Sequence, residues 1–143
     1  MSIEYNEILA ILMEARPEFA SDLYSSSDGP GIPDYDSISI DRRTLSLPGR
    51  PDRLRVCALA VYSKGDERVF AVLFDALLEP DPAQAEFWLA LIVETQRALS
   101  CMVAFVVLCR DAATAKWALA YSAVGDLGYY VLPVVIPSLL SKA

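Results

Sequence analysis

The chain reads as an α/β domain with helices on both faces of a four- to five-stranded mixed sheet. Three observations predict this. Apolar residues recur at spacings of three and four over the first 25 residues, and the period changes to strict alternation after residue 36. Two β-rich runs, 54–62 and 67–74, flank Ser63-Lys64-Gly65-Asp66, the spacing and tip of an antiparallel hairpin. Beyond residue 80, apolar β-rich runs alternate with helix start signals. The 143 residues suit a single domain, 1–143, made of a helical N-terminal segment 1–25, a loop 26–35 and a sheet-helix core 36–137.

Each element follows from local chemistry. Tyr5, Ile8, Leu9 and Leu12 predict one apolar face of a helix over 3–14. Arg16-Pro17 ends it, and Pro17 opens a short second helix through Phe19 and Leu23. The Ser, Asp, Gly and Pro residues between 25 and 33 predict an irregular connection. Ile38 and Ile40 alternate with polar residues, as do Leu45 and Leu47, so this strand has one wet face, whereas the two hairpin runs are apolar almost throughout and are expected to be covered on both sides. Asp81 is placed to cap a helix over 83–100 with Pro82 in its first turn; Trp88, Leu91, Ile92 and Leu99 form its inner face. Phe87, Leu89 and Val93 carry apolar surface most of the way round it, which predicts an interface there. Residues 102–109 form a buried strand, Asp111 caps a helix carrying Ala115, Trp117, Ala118 and Tyr121, and 130–136 supply a last strand.

Composition narrows the function. Net charge is -7 and the isoelectric point is near 4.5, which opposes a phosphate backbone, so nucleic acid is not an expected partner. Arg42, Arg43, Arg50, Arg53 and Arg55 are the one basic concentration, read as snorkelling side chains on a solvated loop. Histidine is absent, which removes imidazole metal sites and serine-type triads. Cys57, Cys101 and Cys109 lie in apolar stretches and read as buried thiols of a reducing, cytoplasmic setting. Acids near the N-terminus argue against a signal peptide, and the longest uncharged run, 127–141, is too short and proline-broken to span a membrane. The glycines form no phosphate-cradling loop; Gly125 and Gly128 mark a turn, and Tyr121, Tyr129 and Tyr130 suit a core or rim.

The hairpin at 56–75, Asp81-Pro82 ahead of a helix with Trp88, and the run 101–107 leading to Ala115-Lys116-Trp117-Ala118 resemble the small PD-(D/E)XK nuclease-like proteins of actinobacteria and myxobacteria. That resemblance covers about 36–137 and implies a restriction-endonuclease-like core. It also implies a divalent cation, such as Mg, held by acids on two successive strands, with Lys or Gln two residues after the second acid. On that pattern Asp75 is the second acid, Leu77 stands in place of the Lys or Gln, and Cys57, between Val56 and Ala58, replaces the first acid. Gln84, Ala85 and Glu86 stand where relatives have basic residues. Asp75 is therefore a vestigial catalytic position, read as a strand-end carboxylate. The expectation is a catalytically degenerate domain that binds a protein partner or a second copy of itself, without a cofactor. One alternative is a divergent Mg-dependent nuclease in which Glu14 or Glu18 joins Asp75. Another is an acidic, immunity-type inhibitor of a basic partner.

Overall fold

The computed structural model describes residues 2–47, 50–123 and 131–136. In order the elements are α1 (Ser2–Ala15), α2 (Glu18–Ser25), β1 (Ser37–Leu47), β2 (Arg50–Lys64), β3 (Glu67–Leu77), α3 (Pro82–Leu99), β4 (Val103–Cys109), α4 (Ala112–Ala123) and β5 (Leu132–Val135). The strands form one sheet in the order β1-β2-β3-β4-β5; β1, β2 and β3 pair antiparallel, and β3, β4 and β5 pair parallel. The parallel half is joined through α3 and α4, the crossovers that parallel strands require.

Alternate residues of β2, β3 and β4 supply the two halves of the core. Cys57, Leu59, Leu73, Phe105 and Val107 meet Trp88, Leu91 and Ala118 of α3 and α4. Ala58, Ala60, Phe74, Ala76 and Val106 meet Leu9, Ala10 and Met13 of α1 and Leu23 of α2. The alanines let α1 lie close to the sheet. The two apolar hairpin runs are thus covered on both faces, and no described helix is long and apolar enough to cross a membrane.

Two readings of the sequence change here. The buried stripe of α1 is Asn6, Leu9, Ala10 and Met13, while Ile8, Ile11 and Leu12 face outward at 49%, 56% and 41% exposure. This helix is apolar on most sides, so spacing alone does not choose the inner face; the small Ala10 and the amide of Asn6 suit the sheet better than two isoleucines. The arginines are not on a loop: Arg42 and Arg43 belong to β1, Arg50, Arg53 and Arg55 to β2, and Arg55 is buried.

Tight turns and caps fall where expected. Gly65 turns the β2–β3 hairpin at φ 61°, and Asp81 Oδ1 accepts from Ala83 N and Gln84 N at the start of α3. Asp111 Oδ1 accepts from Thr114 N at 2.8 Å, and hydrogen bonding from the Thr114 side chain, together with this backbone bond, holds the Asp111 carboxyl below its ordinary range. Ser100 closes α3 at φ 53°, a left-handed conformation that glycine adopts without steric cost. Ser100→Gly is therefore expected to stabilise the fold by about 0.5–1 kcal/mol; a urea midpoint that stays or falls would contradict this account of the cap.

Candidate functional site

Asp75 lies inside β3, two residues before its end, and is fully buried. It shares a face of the sheet with Leu73 and Leu77, the face covered by α3. The picture of a strand-end carboxylate facing solvent or capped by backbone amides is thus replaced by one in which side chains from three other elements hold it.

The β2–β3 ladder runs as far as Ala58 opposite Phe74. One step further Cys57 would face Asp75, and two steps further Val56 would face Ala76. There the side chain of Asn6 in α1 stands between the strands: Asn6 Oδ1 accepts from Ala76 N at 2.8 Å and Asn6 Nδ2 donates to Val56 O at 2.8 Å. The carboxamide has the donor and acceptor of a peptide group, so it satisfies the two backbone groups that the parted ladder would leave unmade. From this position Asn6 Nδ2 also donates to Asp75 Oδ1 at 2.7 Å.

The second donor to Asp75 Oδ1 is Arg55 Nη2, which also donates to Ala76 O at 3.4 Å. Arg55 and Cys57 alternate along β2 with Leu59, so the guanidinium points to the α3 side, as Asp75 does. Arg55 Nε is buried without an acceptor among the described residues, leaving Nη2 to make the ionic contact.

The other carboxylate oxygen belongs to α3. Gln84 Nε2 donates to Asp75 Oδ2 at 3.2 Å and to Ala76 O at 2.6 Å, and Trp88 Nε1 donates to Asp75 Oδ2 at 3.0 Å. The Asp81 cap fixes the start of α3 and so sets Gln84; Trp88 follows one turn later on the same face. Edge-on contacts with Phe105, Trp117 and Tyr121, at centroid distances of 5.8, 6.4 and 6.1 Å, fix the indole so that its N–H meets the carboxylate.

Each Asp75 oxygen accepts from two side-chain donors, which matches the roughly four lone-pair sites of a carboxylate. A guanidinium supplies the positive charge that a hard cation would bring, and no lone pair is left over for such an ion. Burial pushes the neighbouring Cys57 thiol well above its ordinary range, and the charge of Asp75 adds to the effect, which disfavours the thiolate form.

The other residues singled out in the sequence are dispersed. Glu14 is exposed and paired with Arg42, with Arg42 Nη2 at 3.0 Å from Glu14 Oε1. It lies eight residues beyond Asn6, about 12 Å along the helix. Glu18 is exposed at the start of α2. Among the described residues, no three His, Cys, Asp or Glu side chains gather as a metal-binding group. Phe87 is buried in the core, whereas Leu89 and Val93 are partly exposed. Gly125, Gly128, Tyr129, Tyr130 and the run from 137 onward lie outside the described residues.

Sequence reasoning missed Asn6, Arg55 and the polar role of Gln84 and Trp88. A signal existed for one pair: Arg55 is charged near the start of one apolar hairpin strand, Asp75 near the end of the other, and antiparallel pairing brings those ends together. Comparison of the chain with protein-family models, with curated proteins and with solved structures returns no significant match.

Two outcomes test this geometry. Asp75→Asn leaves the Arg55 charge buried without its counter-ion, so a loss of about 3–5 kcal/mol is expected, and Arg55→Met should cost a similar amount. The double variant Asp75→Asn/Arg55→Met should cost clearly less than the two losses combined; strict additivity in urea denaturation would mean that the pair does not interact. For the thiols, burial raises Cys109 to about 12 and Cys57 well above its usual range, while Cys101 is half-buried. An aromatic disulfide reagent at pH 8 is expected to titrate Cys101 alone in the native protein and all three thiols in denaturant; fast reaction of Cys57 would show that its pocket opens.

Proposed function

We propose that this chain is a nuclease-like scaffold whose metal position has been closed, and that it works by holding another protein. The observation that carries this reading is the saturation of Asp75 by Asn6, Arg55, Gln84 and Trp88. A divalent ion needs carboxylate oxygens free to coordinate it, and here both are committed to N–H donors, one of them cationic. The element order supports the resemblance: two helices, three antiparallel strands, a helix and a strand parallel to the third, with Asp75 on the third strand.

The surface supports the binding role. Ile8, Ile11 and Leu12 form a continuous row on the outer side of α1, the spacing that puts side chains on one helical face, with Glu7 and Glu14 also exposed on this helix. Large apolar side chains grouped in this way commonly mark a contact surface. Phe87 is spent on the core, so α1 takes over the role that the sequence suggested for α3.

The test has two parts. Calorimetric titration with manganese and a cleavage assay on single- and double-stranded DNA are expected to give no heat of site binding and no cleavage above buffer. Metal-dependent cleavage that Asp75→Ala abolishes would overturn the reading. A captured partner should be lost with Ile11→Glu and be nearly indifferent to salt; steep salt dependence with Ile11→Glu still bound would favour the acidic-inhibitor reading instead.

A further inference from the structure

β1 is an outer strand of the sheet, eleven residues long, and β2 is the strand paired with it among the described residues. Long outer strands present a row of backbone donors and acceptors and are templates for adding another strand. Along β1, Ser39, Asp41, Arg42 and Thr44 are exposed and Arg43 is partly so.

We propose that β1 pairs antiparallel with β1 of a second copy of this chain, joining two sheets into a continuous ten-stranded one about a two-fold axis at Arg42. The inference rests on the reading of this chain as a binding domain and names one partner for it.

Charge and register select this occupant. A two-fold axis perpendicular to the sheet must pass through a residue facing its own copy. Arg42 is the middle residue of Ser37–Leu47, so an axis there pairs the whole length of the strand. It also sets Asp41 opposite the partner's Arg43 and Arg43 opposite the partner's Asp41, two attractive cross-strand pairs on one face. An axis at Asp41 or at Arg43 would set like charges against each other. An axis at Ile40 or Thr44 would leave Asp41 and Arg43 opposite uncharged residues.

The one unfavourable feature of the chosen register is Arg42 facing the partner's Arg42. Each is already held by its own Glu14, with Arg42 Nε and Nη2 donating to the two carboxylate oxygens at 3.3 and 3.0 Å, so four charges balance at the axis. In the single chain Arg42 N donates to Asp41 Oδ1 at 2.8 Å. On pairing, the Asp41 carboxylate turns to the partner's Arg43 and releases that N–H to the partner's backbone. The axis keeps both copies of α1 on the same side of the joined sheet, so the pair presents two outer helical rows together and binds a repeated partner bivalently.

Sedimentation velocity and light scattering on the full chain test this. The protein is expected to be a dimer, and Asp41→Arg and Arg43→Asp are each expected to weaken it about tenfold, because each creates two like-charge pairs by symmetry. Asp41→Arg/Arg43→Asp should restore the dissociation constant to within about threefold. Hydrogen exchange of the unaltered protein adds a second readout: β1 amides should gain protection as concentration rises. A monomer throughout, or a dimer indifferent to both single reversals, overturns the pairing. A monomer without metal activity leaves the closed scaffold standing, whereas Asp75-dependent cleavage would sink that reading whatever the sedimentation shows.

Discussion

A carboxylate placed between two hydrophobic layers costs several kcal/mol unless its charge and all its lone pairs are met, and Asp75 meets that condition only when four elements are in position at once. Asn6 comes from α1, Arg55 from β2, and Gln84 and Trp88 from α3. Removing any one leaves a buried donor or acceptor unmade, which costs more than the bond itself contributes. The network therefore makes the N-terminal helix, the hairpin and the crossover helix depend on one another, although Asn6 and Asp75 stand 69 residues apart in sequence.

The parted ladder explains why that dependence centres on this place. Where β2 and β3 separate beyond Ala58 and Phe74, two backbone groups would lie buried and unpaired. A side-chain amide from outside the sheet completes them, which requires α1 to sit low over small side chains. Ala58, Ala60 and Ala76 provide the space, and Ala10 provides it from the helix. The buried network around Asp75 acts as a strut, and Asn6, one of its members, fixes the docking of α1.

With Phe87 and Trp88 committed inward, Ile8, Ile11 and Leu12 form an exposed apolar row on α1, and β1 is an outer strand of the sheet among the described residues. These two features meet at Glu14 and Arg42, where helix and outer strand are joined by an ion pair. An exposed pair of this kind adds little stability on its own. Its value here is placement, because it neutralises the charge at the middle of the strand.

Much of this was legible in the residues themselves. The order of elements, the hairpin about Gly65, the caps at Asp81 and Asp111 and the double coverage of β2 and β3 all follow from local patterns of a few residues. Such patterns record what each segment needs from its immediate neighbours, and that information is contained in the segment. The inner face of α1 and the fate of Asp75 were not contained in any segment. A helix apolar on most sides fits a sheet in more than one rotation, and the choice fell to Asn6, whose amide matches a gap that exists only once β2 and β3 have paired and parted. A lone acid in an apolar strand, likewise, has no meaning until residues 6, 55, 84 and 88 arrive around it, and only the folded chain brings them there.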